Sequence, residues 1–165
     1  MPELRLDLDV MERNAARIGK EVLGLGKMWR PHVKAHSQPR IASALVELGA
    51  CGVTAANVAE VEVMATAGIP SILLAHIAVA EAQLDRLAAC TRQTKLLVTI
   101  DHYVQAELYS AAAQRMGVSF ELLVDIDIGM HRTGVRPRVD ATRLAVAADQ
   151  LPGVSVVGIM GYEGH

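Results

Sequence analysis

The sequence predicts an α/β fold, part of a (β/α)8 TIM-type barrel with about six parallel strands that is truncated before the barrel closes. Short runs rich in valine, isoleucine and leucine alternate with helical stretches closed by glycine, and most runs begin roughly 24 residues apart. Such alternation indicates a parallel sheet joined by right-handed crossovers, which curls toward a barrel or opens as a doubly wound sheet. A complete barrel takes about 250 residues, whereas this chain has 165. We therefore expect about two strand-helix units to be missing.

The predicted elements follow one another along the whole chain. A lead-in helix carries apolar residues three or four positions apart, and an Asp9-x-x-Glu12 capping box is expected to begin it. Its apolar residues are Met11, Ala15, Ile18, Val22 and Leu25. Pro39 marks the first turn of the next helix, and Asn57 with Glu60 marks the start of the third. The predicted strands begin near Met28, Cys51, Ile72, Lys95, Ser119 and Val154.

Composition excludes several classes of protein. Lysine and arginine total 16 against 18 aspartates and glutamates, a formal net charge of -2, and no basic stretch offers the charge that a nucleic-acid binder needs. Apolar runs are broken well before the roughly 18 residues of a membrane-spanning helix. The N-terminus lacks a basic region followed by a hydrophobic one, so we expect a cytoplasmic protein. Cys51 and Cys90 form no C-x-x-C pair and are interpreted as free thiols.

The first predicted strand, residues 29–34, has one wholly polar face. Alternation places Arg30, His32 and Lys34 on the same side, which points inward in a barrel. Lys34 ends the strand, where the active sites of such barrels lie. The alternative is a lysine whose ammonium group lies in solvent. Pro31 lacks the N–H that a central strand needs, so irregular pairing is expected there.

Lys34 is a candidate for covalent chemistry. Partial desolvation and a nearby cation such as Arg30 favour loss of the proton from a lysine ammonium group. The resulting neutral amine condenses with an aldehyde. The sequence therefore makes Lys34 the first candidate for a catalytic residue.

A second group of candidates belongs to the predicted strand that begins near Ser119. Asp125 and Asp127 share one face of this strand, and they either act directly or only fix the rim by pairing with arginines and loop amides. The strand enters the loop Gly129-Met130-His131-Arg132-Thr133-Gly134, in which Arg132 offers a rigid fork of donors to an anion or phenolate. The alternative for Arg132 is a surface arginine.

Tyr162 is a weaker candidate at the end of the last predicted strand. Neighbouring glycines would let a flat ligand approach the backbone there, and the phenol could stack on a ring or donate its hydroxyl. Packing is the alternative. Six histidines are present, but neither an H-E-x-x-H motif nor a Cys/His cluster occurs. We expect no complete metal site in this chain.

Four segments, in this order along essentially the whole chain, carry a family resemblance. They are Arg30-Pro31-His32-Val33-Lys34-Ala35-His36, Gly52-Val53-Thr54-Ala55, Gly129-Met130-His131-Arg132-Thr133-Gly134-Val135 and Gly161-Tyr162-Glu163-Gly164-His165. The combination of R-P-H-x-K with Y-x-G-H is its specific part. Together the segments resemble the D-threonine aldolase and D-serine dehydratase family, pyridoxal-phosphate enzymes of fold type III with an alanine-racemase-like N-terminal barrel.

The resemblance implies pyridoxal 5'-phosphate as the cofactor. Lys34 would be the catalytic residue, holding the cofactor through a Schiff base and serving as a proton shuttle. The cofactor-binding residues that it implies are Lys34, His32, Arg132 near the phenolic oxygen and Tyr162 in the ring pocket.

The same resemblance implies a lyase acting on D-β-hydroxy amino acids, by D-threonine-type aldol cleavage or by D-serine-type dehydration and deamination. Residues 1–165 would form the N-terminal part of the pyridoxal-phosphate-binding barrel. The family's C-terminal β domain, with its divalent metal, would be absent from this chain. The complete protein is expected to be a homodimer that takes a small-molecule D-amino acid and binds neither nucleic acid nor membrane.

Several alternatives stay open. Met160 and His76 depart from the polar residue and the asparagine that are usual in the relatives, so the choice between cleavage and dehydration is not made by the sequence. A non-catalytic pyridoxal-phosphate protein for cofactor homeostasis, an amino-acid racemase of the same fold and an inert partial barrel are the other hypotheses. Cofactor retention and turnover by this chain alone also stay open.

Overall fold

The computed structural model describes residues 5–165 as an α/β fold built on a five-stranded parallel sheet. The strands are β1 (Val53–Ala55), β2 (Ser71–Leu74), β3 (Lys95–Ile100), β4 (Phe120–Ile126) and β5 (Val154–Gly161). The helices are α1 (Leu8–Gly24), α2 (Pro39–Glu47), α3 (Val58–Thr66), α4 (Glu81–Cys90), α5 (Tyr103–Met116) and α6 (Val139–Asp149), with a short 3-10 helix at Val33–Ala35. The strands lie side by side in chain order, as in a (β/α) barrel, which confirms the predicted fold class.

The first predicted strand forms a single bridge instead of a regular ladder. His32 makes an isolated parallel bridge with Thr54, whose backbone N–H donates to the Pro31 carbonyl oxygen at 2.8 Å. Pro31 has no N–H to donate in return, and the chain then turns into the 3-10 helix that contains Lys34. The irregular pairing expected near Pro31 is confirmed, whereas a regular strand reaching Lys34 does not form.

Helix α1 begins before the predicted capping box. Its N-cap is Asp7, whose carboxylate accepts a hydrogen bond from the Val10 backbone N–H at 3.0 Å. Asp9 lies inside the first turn, so the predicted Asp9-x-x-Glu12 box is wrong. An acid in the first turn still suits the positive end of the helix dipole.

The starts of the next two helices were predicted correctly. Pro39 is the first residue of α2, and Asn57 caps α3 by accepting from the Glu60 backbone N–H at 2.9 Å. Helix α5 has a capping box that was not predicted, because its N-cap is a histidine, His102. Each cap satisfies backbone donors that the first helical turn leaves free.

The two faces of the sheet differ in character. The face packed against the helices is apolar and buried, and its larger fully buried strand residues include Val53, Ile72, Leu74, Val98, Ile100, Leu122 and Val124. Each such side chain contributes about 1.5–3 kcal/mol of burial free energy. Alternation directs Thr54, Leu73, Thr99 and Asp125 to the opposite, concave face. The carboxyl end of this concave face holds the candidate site.

The sheet is open within the described residues. β1 and β5 are its outer strands and are not paired with each other in residues 5–165. The register between β4 and β5 slips between Leu122 and Leu123, which pair with Val156 and Gly158, so Val157 forms a bulge. None of the described helices is long and apolar enough to cross a lipid bilayer.

Candidate active site

The carboxyl ends of the strands surround a cavity of about 550 Å³. His32, Lys34, Arg132 and Tyr162 all line it. Parallel strands of a barrel end at the same rim, so residues far apart in the sequence meet there. The structure therefore brings together the four residues predicted to bind a cofactor. Their individual roles stay predictions.

A short turn positions Lys34. The His32 Nδ1 atom accepts a hydrogen bond from the Lys34 backbone N–H at 3.2 Å and so caps the 3-10 helix. Val33, between them, is 1% exposed and anchors the turn in the core. Burial and the positive charge of Lys34 lower the pKa of His32, although Glu60 opposes the shift. A neutral imidazole near pH 7 suits the acceptor role of this ring.

Arg132 and Tyr162 pack against each other. The Arg132 Cζ atom lies 4.8 Å from the centroid of the Tyr162 ring, a cation–π contact. This contact joins the loop after β4 to the end of β5. The sequence placed both residues at one rim but did not predict that they touch, because the contact depends on how the loop folds back.

Asp127 fixes the start of the loop that carries Arg132. Its Oδ1 atom accepts hydrogen bonds from the Gly129 and His131 backbone N–H groups, both at 3.0 Å. Its Oδ2 atom lies 2.7 Å from the His131 Nδ1 atom. The two backbone hydrogen bonds, followed by that of the His131 ring, lower the pKa of Asp127 to about 2. These contacts match the rim-fixing alternative for Asp127.

Asp125 differs from Asp127 in its environment. It is 2% exposed and lines the cavity, as does Thr133 on the loop after β4. Burial raises the pKa of Asp125, and the Asp101 carboxylate adds to the rise. The Thr133 hydrogen bond and the positive charge of Arg132 oppose it. A perturbed carboxyl group that faces a cavity is a candidate functional group.

The far end of the same loop is also fixed. The Gly134 N–H donates to Asp101 Oδ2 at 3.0 Å, and the Val135 N–H donates to the Asp125 carbonyl oxygen at 2.9 Å. Gly134 has φ of 97°, and a Cβ atom there would lie 2.5 Å from the Asp127 backbone nitrogen. Both conformation and space therefore require glycine at this position.

Arg30 serves the other end of the sheet, so its predicted role as a cation beside Lys34 is wrong. Its Nη1 atom donates to the carbonyl oxygens of Val53 at 3.3 Å and Ser71 at 3.2 Å, and its Nη2 atom donates to Ser71 Oγ at 3.0 Å. Val53 and Ser71 are the first residues of β1 and β2. Arg30 therefore ties two strands together at their amino ends, away from the cavity.

Several cavity residues were not predicted as site residues. Thr54, Thr99 and Thr133 line the cavity, and so do His76 and Met160, which the sequence marked only as departures from the family pattern. Thr54 and Thr99 could have been predicted, because alternation along their strands directs them to the concave face of the sheet. Thr133 could not, because its position depends on the fold of the loop.

Metal-binding and disulfide chemistry find no support in residues 5–165. No group of three or more histidine, cysteine, aspartate or glutamate side chains in that range is placed to hold a metal ion. Cys51 and Cys90 are free thiols, as predicted.

The sheet has parallel strands in chain order, helices packed on one face, and a cavity at its carboxyl ends that contains Lys34. These features define the class of (β/α)-barrel proteins whose active sites lie at that rim. Comparison with known families narrows the class. Residues 6–165 match the family described as alanine racemase, N-terminal domain, and the chain belongs to that family.

The relatives agree with the resemblance carried by the R-P-H-x-K and Y-x-G-H motifs. The chain is 33% identical to D-threonine aldolase of Arthrobacter sp. over 163 residues, which is 99% of this chain and 43% of that protein. It is also 33% identical over 166 residues to 3-hydroxy-D-aspartate aldolase of Paracoccus denitrificans, with the same coverage. The crystal structure of D-threonine aldolase from Filomicrobium marinum superposes with a TM-score of 0.96 at 36% identity, covering 99% of this chain and 44% of that one. The chain thus spans less than half the length of these relatives.

Proposed function

We propose that this chain forms the N-terminal, cofactor-binding part of a pyridoxal-phosphate-dependent lyase that acts on D-β-hydroxy amino acids, with Lys34 joined to the cofactor through a Schiff base. The observation that carries the proposal is the convergence of Lys34, Arg132 and Tyr162 on one cavity at the carboxyl rim. The names of the relatives, aldolases of D-threonine and of 3-hydroxy-D-aspartate, support the substrate class.

The cavity fits the cofactor in size and in chemistry. Its volume of about 550 Å³ lies within the range of small-molecule sites. It offers an amine for the aldehyde, a guanidinium for the phenolic oxygen and an aromatic ring beside the guanidinium. Leu73, Ala75 and Ile77 supply an apolar part of the wall.

The proposed division of labour follows from these positions. When bound, pyridoxal phosphate withdraws electrons from an attached amino acid and weakens the bonds to its Cα atom. The Lys34 amine would take or return a proton at that carbon. Arg132 supplies a permanent positive charge, and Tyr162 holds the guanidinium plane at the cavity wall. His32, as the cap of the Lys34 turn, fixes the backbone from which the amine extends.

The remaining expectations complete the proposal. Further strand-helix units close the barrel, and a C-terminal β domain with a divalent metal grips the β-hydroxyl group. The complete protein is a homodimer. The substrate is cleaved or dehydrated according to the geometry that the whole protein imposes on the bond at Cβ.

Covalent trapping tests the cofactor assignment. The protein is mixed with pyridoxal phosphate, reduced with borohydride, digested and analysed by mass spectrometry. We expect an adduct on Lys34 that saturates with one cofactor per chain and disappears in Lys34→Ala. Lys27→Arg is the matched control, since Lys27 is an exposed lysine that does not line the cavity. An adduct spread evenly over the lysines, with no preference for Lys34, would refute the assignment.

Turnover tests the reaction class. The longest natural reading frame that contains this chain is assayed with D-threonine, D-threo-3-hydroxyaspartate and D-serine, and aldehyde, oxo acid and ammonia are measured. We expect aldehyde from cleavage or ammonia from dehydration. Saturating cofactor binding without any product would favour the non-catalytic carrier, and interconversion of D- and L-amino acids would favour the racemase.

A further inference from the structure

We propose that His36 is a positioning residue that, together with His32, holds the Lys34 turn from both sides through neutral imidazole rings. This role rests on the proposed function and deepens it, because it gives a task to a histidine beside the proposed cofactor lysine. His36 is not among the residues that line the cavity, so it would act through the backbone that carries Lys34.

The same kind of hydrogen bond occurs on both sides of Lys34. The His32 Nδ1 atom accepts from the Lys34 backbone N–H at 3.2 Å. The His36 Nδ1 atom accepts from the Gln38 backbone N–H at 3.0 Å. In each case the ring bonds to the backbone two residues further on, as aspartate and asparagine side chains do in Asx turns. Lys34 therefore lies on a segment that an imidazole ring closes at each end.

The backbone between His36 and Gln38 is strained. Ser37 has φ of 49°, a left-handed conformation that residues other than glycine rarely adopt. Such a conformation persists only where the surroundings hold it. The hydrogen bond from Gln38 to the His36 ring spans Ser37. Within residues 5–165 the Gln38 side chain makes no capping bond at the start of α2, so the Gln38 N–H depends on the His36 ring. The ring thus stabilises the sharp turn between Lys34 and α2.

These hydrogen bonds require neutral rings. A backbone N–H is always a donor, so the Nδ1 atom of each ring carries no proton while it accepts. A proton added there would place two N–H groups opposite each other and break the bond. The other ring nitrogen of His36, Nε2, is buried and has no hydrogen-bond partner among residues 5–165. A positive charge on the His36 ring would therefore have no hydrogen-bonded acceptor in that part of the chain, which is costly.

The surroundings of the two rings agree with this requirement. Burial lowers the pKa of both rings, and the positive charge of Lys34 lowers that of His32 further. The Glu60 carboxylate of α3 opposes the shift on both rings, and the Gln38 backbone opposes it on His36, but burial outweighs them. Both rings therefore stay neutral in the folded chain until the pH falls below 6.5. Other ionisable side chains share the cavity wall with His32, namely His76, Asp125, Arg132 and Tyr162.

The first arm of the test needs no cofactor. The ring resonances of His32 and His36 and the backbone amide resonances of Lys34 and Gln38 are followed by NMR from about pH 8 to about pH 5, the range in which histidine titrates. We expect both rings to carry their proton on Nε2 at the higher pH, and each amide to shift with the ionisation of the histidine that accepts from it. His36→Asn should abolish the Gln38 titration step. A His36 ring protonated on Nδ1 at the higher pH, or a Gln38 amide that does not respond to His36, overturns the positioning role.

The second arm measures how fast pyridoxal phosphate adds to Lys34, by borohydride trapping at a series of times. His36→Leu removes the acceptor and should slow the addition about tenfold, the effect of losing roughly one hydrogen bond. His36→Asn keeps an acceptor for the same N–H and should restore the rate to within about twofold of the parent protein. Below pH 6.5 it should react faster than the parent, because asparagine does not take up a proton there. An effect of ring charge alone predicts equal rates for the two variants, and that result would overturn the positioning role.

His102→Leu is the matched control. The His102 Nδ1 atom accepts from the Val104 N–H at 3.2 Å in the same way, but at the start of α5 and outside the cavity lining. This variant should lower the urea midpoint and leave the trapping rate within about twofold of the parent. Should His36→Leu fail to fold, the double variant with Ser37→Gly takes its place, because glycine adopts the left-handed conformation without strain. Trapping at the parent rate in the folded double variant would contradict the role of His36.

The outcomes separate the two proposals. Slow trapping in His36→Leu that His36→Asn restores supports the positioning role and the cofactor assignment together. A normal trapping rate in His36→Leu overturns the positioning role and leaves the lyase proposal intact. If no adduct forms on Lys34 in the parent protein, the cofactor assignment is refuted, and the NMR titration decides whether His36 holds the turn.

Discussion

At the amino end of the sheet, charged and polar groups bind one another, whereas at the carboxyl end several of them, including Lys34 and Arg132, line an open cavity. The Arg30 guanidinium donates three hydrogen bonds to the first residues of β1 and β2. Beside it in the sheet, Lys95 Nζ lies 3.2 Å from Glu121 Oε2, close enough for an ion pair although outside hydrogen-bond geometry. Lys34, on the same short segment as Arg30, presents its side chain to the cavity.

The contrast separates residues that stabilise the fold from residues that are available for chemistry. A buried polar group with satisfied partners contributes to the stability of the fold, and removing it leaves its partners unsatisfied. A charged side chain at a cavity adds little stability but can bind or react. Four predictions test this separation on one scale, the free energy of unfolding measured by urea denaturation.

The largest effect is expected from Gly52→Ala at the amino end. Gly52 has φ of 142°, and a Cβ atom there would overlap the Ser71 carbonyl oxygen and lie 2.6 Å from Arg30 Nη1. The substitution should cost about 4 kcal/mol or more, because both strain and a broken Arg30 contact follow. Gly24→Ala is the control, since a Cβ atom at Gly24 meets nothing within 4 Å, and it should change stability by less than about 1 kcal/mol. Equal losses of stability in the two variants would contradict the role of Arg30 in joining β1 and β2.

Arg30→Met should be the next largest. It leaves the Val53 and Ser71 carbonyl oxygens and the Ser71 hydroxyl without their donor at a site where Ser71 is 8% exposed. We expect a loss of about 3 kcal/mol. Arg40→Met, on the exposed side of α2, should change stability by about 0.5 kcal/mol or less. A loss no larger than that of the control would show that Arg30 does not hold the amino end together.

Asp127→Asn should have a smaller effect that depends on pH. The pKa of Asp127 falls from 3.8 to about 2 in the folded chain, so its ionised form stabilises the fold above pH 3.8 and the stabilisation is lost as the pH falls toward 2. The stability difference between the parent protein and the variant should therefore shrink across that window. Urea denaturation at a series of pH values measures it, and a difference that stays constant would contradict the assignment.

Lys34→Met should have the smallest effect on stability. Lys34 is exposed, so the change should alter the free energy of unfolding by about 0.5 kcal/mol or less. The same variant should lose the borohydride-trapped cofactor completely. Arg30→Met on the same segment should show the opposite pattern where it still folds, with lower stability and a retained adduct. A large loss of stability in Lys34→Met would contradict the view that Lys34 is available for chemistry and does not stabilise the fold.

The sequence was sufficient for the parts of this molecule that depend on local pattern. The runs of β-branched and aliphatic residues predicted β1 to β5, and Pro39 and Asn57 marked two helix starts. The meeting of Lys34, Arg132 and Tyr162 at one rim was also predictable. Each lies at or after the end of a predicted strand, and parallel strands of a barrel end at the same rim.

The rest depended on tertiary structure or on fine local geometry. Arg30 could not be assigned to the amino end, since its hydrogen bonds to Val53 and Ser71 depend on how β1 and β2 pack beside its segment. Asp7 and Asp9 both precede the same apolar stripe, and only the backbone geometry selects Asp7 as the cap. The contact of Arg132 with Tyr162 requires the loop to fold back over the strand ends, which the alternation of apolar and polar residues does not reveal.

The anchoring of the loop after β4 has a consequence for how this scaffold can change. Its backbone is held by acids that accept hydrogen bonds from positions 129, 131 and 134, and none of those bonds uses the side chain at position 132. The side chain at position 132 can therefore change while the loop keeps its hydrogen bonds. A single substitution there can alter the charge at the cavity without unfolding the chain. Different reactions can therefore evolve on the same fold through few mutations.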